Sequence, residues 1–193
     1  MDDKRQAILA ATGSLLAKHG FHGFSMKQLA SLAGVATGTI YLYFKDRDEL
    51  IGQLREHILQ DIAAQIFAGH DSSQPLYQQY RLIWLSLWAY FQRFPDRVLC
   101  KNQFDQLPPE VQLQQHIEAK QHFSPLVEIF NSGREQGLLK PLSDETLACL
   151  SIEACALLAQ KQILGLLTVD DDNLESVVAA SWDAIAINSE FQS

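Results

Sequence analysis

The apolar residues of this chain recur with the period of an α-helix, and no segment shows the sustained alternation of a β-strand. The first helical pattern has one apolar stripe and ends before Gly20, a residue type that commonly follows a helix. That stripe consists of Ala7, Ile8, Ala11, Leu15 and Leu16. The sequence therefore predicts an all-α protein of about nine helices.

Capping signals and breaks give the bounds of the later helices. Ser25 and Gln28 have the spacing of a capping box, and Asp46 is positioned to cap the next long helix. Pro125 should kink or split the helix that contains it. After the first helix, the predicted helices cover residues 25–33, 37–44, 46–68, 76–94, 97–106, 109–135, 144–166 and 174–190.

The composition is that of a soluble globular protein. The chain has 193 residues, of which 47% are hydrophobic, and no apolar run approaches the roughly 20 residues of a membrane-spanning helix. No secretory signal pattern follows Met1, so we expect a cytoplasmic protein without a membrane partner. Cys100, Cys149 and Cys155 form no CxxC pair. They are interpreted as reduced core thiols, with a redox switch as the alternative.

The charge is distributed unevenly along the chain. The net charge is −8, yet residues 4–45 hold five Lys or Arg residues and no Asp or Glu. The remaining residues must therefore carry −13. A basic head on an acidic body predicts that only the head contacts an anionic partner.

The same basic segment has the spacing of a helix-turn-helix. That motif needs a small residue where its helices cross, a glycine in the turn, and an apolar residue that fixes the second helix. Ala30, Gly34 and Ile40 occupy these positions. An ordinary pair of helices joined by a glycine turn is the alternative.

Two tracts resemble a known family. Residues 24–30 read FSMKQLA and residues 33–50 read AGVATGTIYLYFKDRDEL, which is similar to the DNA-binding domain of the TetR family. A weaker similarity continues at residues 133–141, GREQGLLKP. The resemblance implies a helix-turn-helix DNA-binding domain at residues 1–48, with the motif at 25–44, and a ligand-binding and dimerisation domain at 49–193.

The resemblance also implies a homodimeric repressor that binds double-stranded DNA at a palindromic operator. By position, the expected DNA-contacting residues are Ser25, Met26, Lys27, Thr37, Gly38, Thr39, Tyr41, Leu42, Tyr43 and Lys45. Arg47 is a further candidate, whereas Ile40 and Phe44 should be core residues. The recognition helix has no Arg, Asn or Gln for bidentate base contacts, so hydroxyls, thymine methyl contacts and DNA shape should supply specificity.

An aromatic stripe in the body predicts either a packed core or the wall of a ligand pocket. The family similarity favours a pocket for a small effector, which we expect to be apolar or aromatic. The predicted lining residues are Phe67, Trp84, Trp88, Phe91, Gln103, Phe104, His116 and Phe123. Ligand binding should move the helix at 46–68 and separate the two DNA-binding heads.

The last two predicted helices, at about 144–166 and 174–190, should form the homodimer interface. The first of them is apolar nearly all round, so it must bury more than one face. A monomer with a fully buried helix is the alternative. No catalytic group, metal site or cofactor motif is evident, so we do not expect an enzyme. A helical ligand carrier and an interaction protein without DNA-binding activity are the competing hypotheses.

Overall fold

The structure is a computed structural model that describes residues 3–187, without the side chains of residues 115 and 116. Within this range the chain forms eleven α-helices and one 3-10 helix, and no β-strand. The all-α prediction is confirmed. The helices are α1 (Asp3–His19), α2 (Met26–Leu32), α3 (Thr37–Tyr43), α4 (Arg47–Ile66), α5 (Leu76–Arg93), α6 (Pro95–Phe104), α7 (Pro109–Ala119), α8 (Ser124–Glu135), α9 (Asp144–Leu150), α10 (Ile152–Ile163) and α11 (Asp171–Asp183).

The predicted helices that contain internal breaks account for the two additional α-helices. The segment 109–135 is divided by the 3-10 helix Lys120–Phe123, and Pro125 lies in the first turn of α8. A proline is compatible with that position because the first turn of a helix needs no backbone donor. For the same reason α6 begins at Pro95, two residues before its predicted start at residue 97.

The segment 144–166 is interrupted at Ser151, where φ is −127° and ψ is −86°. The buried Ser151 hydroxyl donates a hydrogen bond of 2.5 Å to the carbonyl of Leu147. The Ser151 hydroxyl therefore occupies a carbonyl that would accept a backbone amide in a continuous helix, and this favours the interruption. The interruption was not predicted.

The prediction of a last helix at 174–190 is wrong at both ends. The helix begins at Asp171 and ends at Asp183, and Ala186 then forms an isolated antiparallel bridge with Leu139. The Lys140 amide donates to the Ile185 carbonyl at 2.9 Å. This pairing with a distant segment replaces the last predicted helical turn, and residues 188–190 lie outside the described range.

The described chain forms two compact units. The first contains residues 3–61 and 94–119, and the second contains residues 62–93 and 120–187. In the first unit α1 packs against α6, α2 and α3. In the second unit α5 packs against α8, α10 and α11. The helix α4 begins in the first unit and ends in the second.

Gly133 explains part of the glycine-containing tract at residues 133–141. A Cβ atom added at Gly133 would lie 2.5 Å from two side-chain carbons of Leu139, which is itself buried. Gly137 follows α8 with φ of +67°, and the Leu138 amide donates to the Gly133 carbonyl at 2.8 Å. The first glycine allows close packing, and the second permits the left-handed turn that ends the helix.

Candidate nucleic-acid interface

The short helix α2 is held at its start by the predicted capping box. The Gln28 amide donates to the Ser25 hydroxyl at 3.2 Å, and the Ser25 amide donates to Oε1 of Gln28 at 2.8 Å. These two reciprocal bonds satisfy donors that the first turn of a helix leaves unpaired. The hydroxyl predicted to contact DNA therefore also fixes the start of α2.

The turn after α2 has the geometry expected of a helix-turn-helix. Gly34 has φ of +68°, and the Val35 amide donates to the Ala30 carbonyl at 3.0 Å. Ala30 and Ile40 are both buried, as the motif requires of its crossing and anchoring residues. The predicted roles of these residues in the fold are confirmed, and Phe44 is also buried.

The outward face of α3 combines small, hydroxylated and apolar side chains. Leu42 is 83% exposed and Tyr41 is 52% exposed, although both are large and largely apolar. Gly38 is exposed, and a Cβ atom added to its backbone would meet no neighbouring atom within 4 Å. Because Gly38 has no side chain, the backbone of α3 can be approached closely there by a partner that also contacts the exposed apolar groups.

All ten residues predicted to contact DNA are at least partly accessible. Ser25, Lys27, Gly38, Tyr41, Leu42 and Lys45 are exposed, and Met26, Thr37, Thr39 and Tyr43 are half-buried. The lysines of the acid-free segment, Lys4, Lys18, Lys27 and Lys45, are all exposed as well. Their accessibility permits the predicted contacts.

A chain of polar contacts joins α1 to the end of α3 through α4. Asp46 caps α4 by accepting the Glu49 amide at 2.9 Å, and Glu49 accepts the Lys45 amide at 2.6 Å. Gln53 donates to the Glu49 carboxylate at 2.8 Å, and Arg5 donates to Gln53 at 2.6 Å. These bonds fix the backbone that follows α3 relative to α1 and α4.

Arg47 is used inside the head, where the sequence suggested a DNA contact. Its Nη1 donates to the Phe24 carbonyl at 2.9 Å, and its Nη2 donates to the Phe21 carbonyl. The guanidinium also lies over the Phe24 ring, 4.1 Å from its centroid. A positive charge in the first turn of a helix opposes the helix dipole, so these three contacts provide the physical reason for an arginine there.

Comparison with known families agrees with this geometry. The model for bacterial regulatory proteins of the tetR family matches residues 8–54. The model for the tetracyclin repressor-like C-terminal domain matches residues 75–186, more than half of the chain. The chain belongs to the TetR family. It is a helix-turn-helix transcriptional regulator, as the sequence analysis predicted.

Relatives and solved structures extend the similarity over nearly the whole chain. An HTH-type transcriptional regulator of Haemophilus influenzae is 32% identical over 95% of this chain and 96% of its own length. The structure of a TetR family protein from Vibrio parahaemolyticus is 39% identical, with a TM-score of 0.83 and coverage of 96% and 100%. A TetR-family regulator structure from H. influenzae is 31% identical, with a TM-score of 0.81 and coverage of 96% and 97%.

The predicted effector-pocket residues do not all belong to one unit of this TetR-family regulator. In the second unit, the rings of Phe67 and Phe123 meet edge to face, 6.3 Å apart. Trp84 and Trp88 are buried and stack at 5.8 Å, and Phe91 is buried on the same helix. This aromatic cluster supports the packed-core interpretation as well as a pocket wall.

Three predicted pocket residues belong to the first unit. Phe104 is buried there and meets the Phe21 ring edge to face at 5.9 Å, and Gln103 precedes it on α6. The side chain of His116 lies outside the described part of the structure. Phe104 thus packs against the segment between α1 and α2.

A cleft that sequence analysis missed lies within the second unit. Its volume is about 430 Å³, and it is lined by the segment between α4 and α5, by the start of α5 and by one face of α8. His70, Gln79, Glu128, Ser132 and Gln136 are among its lining residues, and none of the predicted pocket residues is. Its polar lining residues are typical of a linker and of a solvated helix face, so the sequence carries no signal for this cleft.

The cysteines differ in environment. Cys100 and Cys155 are buried, and burial raises the thiol pKa of both, to about 12 for Cys100. The prediction of core thiols is confirmed for these two and is wrong for Cys149, which is exposed. Within the described residues, no group of three or more His, Cys, Asp or Glu side chains could hold a metal ion. None of the described helices is both long and apolar enough to span a membrane.

Proposed function

We propose that this regulator is a homodimeric repressor that binds a palindromic operator through α3 and is released by a small effector. The observation that carries this proposal is the outward face of α3, where exposed Leu42 and Tyr41 stand beside accessible hydroxyls in a segment without acidic residues. Such a surface suits a DNA groove. Large apolar side chains are not stabilised by exposure to water, so their clustering on one helix face indicates a binding surface. The functional division at residues 48 and 49 is part of the proposal.

The DNA contacts are divided by chemistry. Thr37 and Thr39 donate hydroxyl hydrogen bonds, Leu42 packs on thymine methyl groups, and Lys45 neutralises a phosphate. Ser25 and Lys27, at the start of α2, bind the phosphate backbone beside the groove. Without an Arg, Asn or Gln on α3, each half-site discriminates modestly, and the dimer gains selectivity from two half-sites.

The proposed dimer interface involves α9, α10 and α11. The helix α10 buries Ile152, Cys155 and Ala159 and packs on α5, but Leu157 on its other side is 53% exposed. Exposed leucines also stand at positions 150 and 164. Contact with a second copy would remove this apolar surface from water.

The proposed effector is apolar or aromatic and carries a hydrogen-bond acceptor. Trp84 is fully buried, and its Nε1 is the one buried side-chain nitrogen or oxygen in the described residues that lacks a hydrogen-bond partner. A buried donor without a partner is costly, so a ligand oxygen there would gain a full hydrogen bond. Binding at Trp84 would reach the heads through α4, which belongs to both compact units.

The DNA-binding proposal is tested by selection of duplexes from a random pool with the purified full-length protein. The expected result is two inverted half-sites whose centres are about one helical turn apart and whose sequences are rich in A·T pairs. Recovery of no enriched sequence, with binding equal for all duplexes, would refute site-specific regulation.

The effector proposal is tested on the selected operator with a panel of apolar carbonyl-containing compounds. An active compound should lose about tenfold in affinity with Trp84→Phe, which keeps an aromatic ring but removes the donor. Glu128→Gln, in the polar cleft, is the matched control and should bind the compound as the wild type does. If every compound class leaves operator affinity unchanged, the ligand-responsive part of the proposal fails.

A further inference from the structure

The outward face of α10 carries an exposed leucine midway between two residues of opposite charge. Leu157 is exposed, Glu153 stands four residues before it, and Lys161 stands four residues after it, both exposed. Residues four apart lie on one face of a helix, so the three side chains form a row. Leu164, directly after the last residue of α10, is also 50% exposed.

This order is self-complementary. Consider two copies of the row that run in opposite directions about a twofold axis at Leu157. A residue four positions before Leu157 in one copy then faces the residue four positions after Leu157 in the other copy. Leucine then meets leucine at the centre, and each glutamate meets a lysine. Two copies running in the same direction would instead bring like charges together, which is unfavourable.

We propose that α10 packs antiparallel against α10 of a second copy, with a twofold axis at Leu157 and with Glu153 of each subunit paired to the second copy's lysine at position 161. The inference rests on the proposed homodimer and adds its register and orientation. A twofold interface uses the same surface of both subunits, so the ion pair occurs twice. The apolar centre drives association, and the two charge pairs select the antiparallel register.

The salt bridges described in the second unit involve neither Glu153 nor Lys161. Glu153 has an exposed contact with the thiol of Cys149 at 3.6 Å, whereas the salt bridges of this unit join other residues. The buried side of α10 is occupied by its contacts with α5. A surface with an apolar centre between opposite charges therefore fits a second copy of itself better than it fits a partner of one charge.

The test is charge reversal measured by sedimentation equilibrium of the full-length protein. Glu153→Lys alone and Lys161→Glu alone should each raise the dimer dissociation constant about ten- to a hundredfold, because each turns both attractive pairs into repulsive ones. The double reversal should restore the constant to within about threefold of the wild type. A mixture of the two single variants should form heterodimers more readily than either forms homodimers.

Glu135→Lys, an exposed reversal on α8, is the matched control and should leave the dissociation constant unchanged. Far-ultraviolet circular dichroism checks that each variant is folded. In a Cys149→Ser background, Leu157→Cys should form an intersubunit disulfide on oxidation, whereas Leu113→Cys on α7 should not.

Three results would overturn the inference while leaving the homodimer intact. They are single reversals that dimerise as the wild type does, a double reversal that dimerises no better than the single ones, and a Leu157→Cys variant that gives no cross-link. A wild-type protein that remains monomeric at all concentrations would overturn the proposed homodimer as well. The two failures are thus distinguished by the wild-type control.

Discussion

Replacing Arg47 separates a role inside the head from a role on the DNA. The guanidinium makes two hydrogen bonds to carbonyls of the α1–α2 segment and lies 4.1 Å from the Phe24 ring centroid. Each charge-assisted bond contributes about 1.5 kcal/mol or more, and the cation–π contact contributes about 0.5–1 kcal/mol. Because Arg47 is only half-buried, we expect Arg47→Ala to lower the free energy of unfolding by about 2–3 kcal/mol.

Arg47→Lys is the decisive variant because it keeps the positive charge but removes the planar guanidinium with its two donor nitrogens. An ammonium cannot donate to both carbonyls and stack on the ring at the same time, so about 1–2 kcal/mol should still be lost. Thermal unfolding monitored by circular dichroism gives the stability, and operator binding is measured on the folded proteins by fluorescence anisotropy across salt concentrations. Both Arg47 variants should keep the wild-type salt slope.

Lys45→Ala is the matched control for a phosphate contact. The Lys45 side chain is exposed, so stability should change little, whereas the salt slope should fall by about one. The reasoning is refuted if Arg47→Lys has wild-type stability and affinity while Arg47→Ala lowers the salt slope as Lys45→Ala does. Arg47 would then be a phosphate contact.

Three further expectations concern separate parts of the chain. Leu42→Ala should weaken operator binding about tenfold while leaving the melting temperature unchanged, and a parallel loss of both would contradict a purely surface role. Gly133→Ala should lower the free energy of unfolding by about 1–3 kcal/mol in urea titrations, since the added methyl overlaps Leu139; wild-type stability would show that this packing yields freely. Burial and nearby Arg97 lower the pKa of His57, so the unfolded chain binds the proton more readily and stability should fall as pH drops below about 6.5. Unfolding titrations between pH 7 and 5 should show a weaker pH dependence for His57→Gln, and an unchanged dependence would exclude His57 as its source.

The sequence predicted the helices well because burial of one face imposes a period that local residues reveal. The ends that it misplaced depend on distant partners or on a single side chain. Residues 184–187 leave the helix because they pair with the segment around Leu139, and Ser151 interrupts a strongly apolar run through its own hydroxyl. Neither cause is visible in hydrophobic spacing.

The candidate DNA surface was predictable because the helix-turn-helix motif is local and its spacing is strict. The role of Arg47 was not, since a phosphate and a backbone carbonyl both attract a guanidinium. Its place in the first turn of α4, against the helix dipole, is a signal that could have suggested an internal partner. For the effector pocket, the spacing of Trp84 and Trp88 indicates a buried face and leaves open whether ligand or protein fills it.

The most direct test of the central claim compares binding to the selected operator and to random duplex DNA by fluorescence anisotropy, titrated against salt. The account predicts operator affinity about a thousandfold or more above that for random DNA, with a salt slope that reports several released counterions. Replacing the α3 residues Thr39 and Leu42 with alanine should reduce that ratio. Equal affinity for both duplexes, or a ratio unaffected by these substitutions, would contradict the claim that the outward face of α3 reads DNA.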